Sequence, residues 1–135
     1  MNIAVLRIQG NEKEIDVVKA LYPFNIIGEW EKGDSISRTR FFSSSGFSVD
    51  LPDADSPTEM LNNIESFFNE LSSSSINFVN LNLTANLDVG LGVGECEQYA
   101  AEYEISLPLM ELALKVGASI SLTAYPVNEI EQTND

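Results

Sequence analysis

Ile3, Ala4, Val5, Leu6 and Ile8 form an apolar run rich in β-branched side chains and stopped by Gly10 and Asn11, which predicts a buried first strand. Ile15, Val18 and Leu21 then recur at helical spacing. Glu12 and Glu14 sit at the positive end of that helix's dipole, Lys19 at its negative end, and Pro23 closes it. Between Phe24 and Asp34 a brief apolar run is broken by Gly28 and Gly33, the mark of a loop or short strand. Residues 37–42 and 46–51 read as two strands of a hairpin joined by Ser43, Ser44 and Ser45, whose hydroxyls favour local turns over ladders.

The second half is more regular. Ser56, Pro57, Thr58 and Glu59 spell a helix start, in which Ser56 caps the Glu59 amide, Glu59 returns the bond and Pro57 takes the first turn. Met60, Leu61, Ile64, Phe67, Phe68 and Leu71 give that helix a wide apolar face before Ser72, Ser73, Ser74 and Ser75 end it. Val79, Leu81, Leu83, Ala85 and Leu87 alternate with Asn80, Asn82, Thr84, Asn86 and Asp88, the period of a long strand with one dry face. Ser106 and Pro108 open a last helix bearing Leu109, Leu112, Ala113 and Val116, and Gly117 ends it in the left-handed conformation. Residues 118–125 supply a final strand, with Ile120, Leu122 and Ala124 on one face.

Strands with one apolar face need cover on one side only. The expected fold is therefore α+β: a mostly antiparallel sheet covered on one side by about three helices. A chain of 135 residues makes one such domain, assigned to residues 1–126, and buries roughly two-thirds of its unfolded surface. Residues 127–135, polar and acidic, read as a frayed tail.

Charge changes this picture more than composition does. The net charge is −14, and all of it falls in the second part of the chain. Residues 1–49 hold six acids against six bases, whereas residues 50–135 hold fifteen acids against Lys115 alone. Such a surface repels nucleic acid and attracts cationic partners. With Cys96 as the sole cysteine there is no internal disulfide, and with no apolar segment long enough for a signal or a span, a soluble cytoplasmic protein is expected.

Candidate chemistry is sparse. Histidine is absent, which removes the commonest general base and metal ligand. Cys96 lies between Glu95 and Glu97, whose charges disfavour a thiolate. Asp50, Asp53 and Asp55, like Glu95, Glu97, Glu102 and Glu104, could form carboxylate pairs, but in so acidic a chain a solvated face accounts for them. Asp53 and Asp55 lack the further oxygens and turn glycine of a calcium loop. Gly90, Gly92 and Gly94 resemble a phosphate loop, but no lysine or helix follows; a flexible turn is the expectation. No catalytic residue, cofactor or metal is assigned.

Two surfaces stand out. Tyr99 and Tyr103 interleave with Glu95, Glu97, Glu102, Glu104 and Glu111, a pattern suited to desolvating and pairing the arginines and lysines of a basic protein. Trp30, Arg38 and Arg40 form the alternative, a small basic-aromatic pocket for an anion.

The opening strand, Trp30-Glu31-Lys32-Gly33-Asp34, the Ser56-Pro57 helix start and the close from Leu109 to Tyr125, with its Gly117-Ala118-Ser119 turn, together resemble the bacterial domain-of-unknown-function family 4279 over nearly the whole chain. The resemblance implies little function. By analogy, small bacterial domains of this kind serve as immunity proteins beside secreted toxins. The expectation is a non-enzymatic protein that neutralises a basic partner, such as a toxin with nuclease activity, and is itself a monomer or weak homo-oligomer. The alternative is an anion sensor or an enzyme of unknown substrate.

Overall fold

The computed structural model describes residues 2–95 and 103–127, with the backbone alone for 93–95 and 126–127. The elements run β1 (Ile3–Gly10), α1 (Glu12–Leu21), β2 (Ile26–Trp30), β3 (Ser45–Asp50), α2 (Pro57–Ser73), β4 (Thr84–Glu95), α3 (Leu107–Val116) and β5 (Ser119–Val127). The strands form one sheet in the order β2-β3-β1-β4-β5. Every neighbouring pair is antiparallel except β4 and β5, which α3 joins as a crossover. This is the expected α+β architecture.

Register explains the core. Leu6 stands opposite both Val49 and Leu87, and Leu87 stands opposite Ile120, so these four side chains share one face. Over that face α1 lies against β1 and β3, α2 against β1 and β4, and α3 against β5 and α2. Phe47, Phe68, Phe78, Ile64, Met60 and Leu71 fill the space between sheet and helices without solvent contact. The opposite face carries Arg7, Ser48, Asn86, Asp88 and Ser121. There Arg7 meets Asp88 at 3.4 Å, and the Asn86 amide donates to the hydroxyls of Ser119 and Ser121.

Helix termini follow the sequence closely. Ser56 Oγ accepts from Glu59 N at 3.1 Å and Ser106 Oγ accepts from Leu109 N at 3.2 Å. Gly117 adopts φ 75° and its amide donates to the Ala113 carbonyl. One detail differs: Glu59 Oε2 accepts from the amide of Asp55, one residue before the cap, rather than from that of Ser56. Leu21 is another departure, being exposed at the last turn of α1. Six residues beyond Ile15, it is rotated by about 120° from it.

Two strand assignments and one turn are corrected. Residues 37–42 are not a strand, and β3 pairs instead with β2 on one side and β1 on the other. Asp34 accepts from the Glu31 amide at 2.7 Å and Ser35 Oγ donates to the Ser37 carbonyl at 2.8 Å, so local bonds take up backbone groups that a ladder would have used. The second strand of the expected hairpin is present as β3, while Phe41 of the first makes only an isolated bridge with Ser35.

Residues 79–83 are not strand either. The Leu83 amide donates to the Phe78 carbonyl, Asn77 Oδ1 accepts from the Asn80 amide, and Asn82 takes φ 57°. The asparagines that looked like a wet strand face build a turn, anchored by buried Ile76 and Phe78.

Finally, the glycine-rich segment is not a flexible turn. It continues β4, with Leu91 buried on the helix side and Gly90 on the open side, where an added Cβ would lie 3.3 Å from Ile3 Cγ1 and 3.5 Å from Tyr125 Cε1. β5 also runs on to Val127, one residue into the segment assigned to the tail; residues 128–135 lie outside the described residues.

Candidate functional site

Of the acidic, tyrosine-studded surface, Glu97, Tyr99 and Glu102 lie outside the described residues, as does Cys96. Glu95 ends β4, its backbone opposite Val127. Tyr103 and Glu104 are exposed in the segment leading into α3. They line a cleft of about 200 Å³ with Thr58, Leu61, Asn62 and Glu65 of α2 and with Ser106 and Leu109. Ser106 Oγ donates to Glu65 Oε1 at 3.4 Å, which ties the start of α3 to α2. The fold thus adds Glu65 to Tyr103 and Glu104, whereas Glu111 lies further along α3, outside this cleft.

The alternative anion pocket was expected at Trp30, Arg38 and Arg40. Trp30 stacks on Phe42, centroids 4.9 Å apart at 18°, over Gly46, where any Cβ would lie 2.5 Å from Trp30 Cζ2. Its Nε1 is closed off from solvent without a hydrogen-bond partner among the described residues. Arg38 and Arg40 lie on an exposed loop, where the Arg40 carbonyl accepts from the amides of Ile36 and Ser37. Neither guanidinium forms an ion pair or a cation–π contact with a described residue. Trp30 serves packing.

A cleft not anticipated from the sequence lies where α1, β3 and α2 converge. About 370 Å³ in volume, it is walled by Tyr22, Pro23, Pro52 and Phe67, with Asp50 and Glu70 as its charged lining and no basic side chain. Asn63, Ser66, Phe67 and Glu70 reach it together because they recur at i, i+3, i+4 and i+7 on α2. Tyr22 donates its hydroxyl to Glu70 Oε2 at 3.3 Å, and its ring meets Phe24 and Phe67 edge-on at 5.1 and 6.1 Å. Burial, reinforced by the Glu70 charge and the bond to it, raises the Tyr22 pKa. The phenol therefore stays neutral and donates.

An aromatic wall with two carboxylates and no base is chemically matched to an ammonium or guanidinium group, which gains from ring faces and carboxylate oxygens together. The sequence did hold a signal, the polar stripe beside the apolar face of α2. What it could not tell was that Tyr22 and Asp50 meet that stripe.

Among the described residues no group of three acids or cysteines is placed to hold a metal ion, and no helix is long and apolar enough to cross a membrane. Comparison of the chain with protein-family models, curated proteins and solved structures finds no match in any of the three.

Proposed function

We propose that this protein is a non-enzymatic binder of a basic protein, most concretely an immunity protein that occludes a cognate bacterial toxin such as a nuclease. The observation that carries this reading is the cleft of Tyr22, Asp50, Phe67 and Glu70, carboxylate-lined and without a base, on a chain of net charge −14. A long basic side chain of the partner enters the cleft, its stem against Phe67 and its charge between Glu70 and Asp50. The remaining acids, Glu65 and Glu104 among them, steer the encounter and specify orientation. Inhibition is steric: a surface that binds nucleic acid is basic, and covering it stops the toxin without any bond being made or broken.

The test begins with proteins encoded beside this one, captured on the immobilised protein at low and high salt. A purified basic neighbour should bind the wild-type chain with an association rate that falls as salt rises, and Glu70→Gln with Asp50→Asn should weaken binding at least tenfold. A neighbour that binds both proteins equally would remove the cleft from the mechanism, and failure to bind any basic neighbour would remove the function.

A further inference from the structure

The flank formed by α3 and the outer edge of β5 is built unlike the rest of this surface. β5 is the last strand of the sheet, and among the described residues its outer edge has no partner strand. In the helix layer α1 covers β1 and β3, α2 covers β1 and β4, and α3 lies against β5 and α2, so α3 and the β5 edge share one side of the molecule. α3 buries Leu109 and Val116 inward, yet Leu107, Met110 and Leu114 recur at i, i+3 and i+7 on its outer side, 78%, 50% and 82% exposed. On β5, Leu122, which points to the helix face opposite Val89, is 47% exposed. Beside Leu114, a groove of about 400 Å³ is lined by Val79, Leu83, Ala113 and Ala118 and by no charged residue.

A helix that adds an exposed apolar stripe to its buried face, broken only by Glu111 and Lys115, is suited to an interface. Charge decides which partner fits. From Ile105 to Val127 the only ionisable acid and base are Glu111 and Lys115, which cancel, whereas residues 50–135 as a whole carry −14. A basic partner gains nothing from this flank. Two copies of so acidic a protein can approach here without adding net like charge to like, and residues 71–87, which supply Val79 and Leu83 to the groove, carry no charge either. The edge offered between Ser119 and Ala124 also has neither charge nor proline to block pairing.

We infer that the α3–β5 flank is a homodimer interface, in which two copies meet about a two-fold axis with their Leu107, Met110 and Leu114 stripes in contact and their β5 edges side by side. The contact is isologous, each Leu114 standing beside the uncharged groove that its counterpart can enter. Its dependence on salt is opposite in sign to that of a basic partner: screening relieves the repulsion between two −14 chains and tightens the dimer, while it weakens attraction to a cationic protein.

Sedimentation equilibrium on the full chain tests this directly. The expected result is a concentration-dependent rise from monomer to dimer mass that shifts to lower protein concentration as salt is raised. Leu107→Glu with Leu114→Glu should hold the protein at monomer mass at every concentration, and the milder Leu107→Ser with Leu114→Ser should weaken the dimer at least tenfold. All four substitutions are at exposed positions, so circular dichroism should be unchanged. Ile27→Glu, an exposed apolar residue on β2 at the far side, should leave the dimer intact. A monomer throughout, or a dimer that survives both double substitutions, overturns the assignment. Neither result bears on the Tyr22–Glu70 cleft.

Discussion

Tyr22 and Glu70, forty-eight residues apart, join the end of α1 to the last turns of α2 through a 3.3 Å hydrogen bond from phenol to carboxylate. Because burial first, and then the Glu70 charge and the bond to it, favour the protonated phenol, the folded state holds that proton more tightly than the unfolded chain does. The resulting stability is fully present below the ordinary tyrosine pKa of about 10 and is lost as pH rises through the raised folded value. Urea denaturation of wild type and Tyr22→Phe across the alkaline range should show the wild type losing stability faster. Parallel curves would mean that the folded state holds the phenol proton no more tightly than the unfolded chain does.

The caps of α2 and α3 give a calibrated comparison. Ser56 and Ser106 each accept an amide from three residues on, while Asn11, ahead of α1, makes no side-chain cap bond. Ser56→Ala and Ser106→Ala should each cost about 1 kcal/mol, and Asn11→Ala about half that or less. Equal losses at all three positions, measured by denaturant midpoint, would contradict the capping geometry.

Trp30 and Gly46 make the most demanding backbone contact in the sheet. A Cβ on Gly46 would collide with the Ile8 carbonyl oxygen of the adjacent strand and lie 2.5 Å from Trp30 Cζ2. The carbonyl cannot move without disturbing the β1–β3 ladder, so rotation of the indole alone gives no relief. Gly46→Ala should destabilise by about 3 kcal/mol. Trp30→Ala in the same chain should recover only part of that loss, because the clash with Ile8 remains; full recovery would place the obstacle in the indole alone.

How far the sequence revealed this molecule depended on whether a signal was local. Ser56-Pro57, Ser106-Pro108 and Gly117 act within one helical turn, and the helices begin and end where these residues say. Strands were harder, because alternation is also produced by turns. Asn80 and Asn82 alternate with Val79 and Leu81 as in a strand, but their amides serve a turn whose anchors, Ile76 and Phe78, are fixed only by the core. In the other direction, Gly90 looked like flexible backbone because nothing in the sequence places Ile3 and Tyr125 beside it. The cleft failed for the same reason: Tyr22, Asp50 and Glu70 come from three separate segments, and their meeting is a property of the sheet order.

Asn82 separates the two readings of that region in one experiment. Were it in a strand, replacement by the β-branched Val would be neutral or stabilising, since valine suits extended backbone. At φ 57° the branched side chain crowds the backbone, whereas Asn tolerates the left-handed region and Gly enters it freely. Asn82→Val should therefore cost about 1–2 kcal/mol, while Asn82→Gly should change stability little. The loss should appear chiefly in the unfolding midpoint with the denaturant slope unchanged, because the surface buried by Ile76 and Phe78 is the same. A stabilised Asn82→Val would restore the long strand beginning at Val79 and remove the turn.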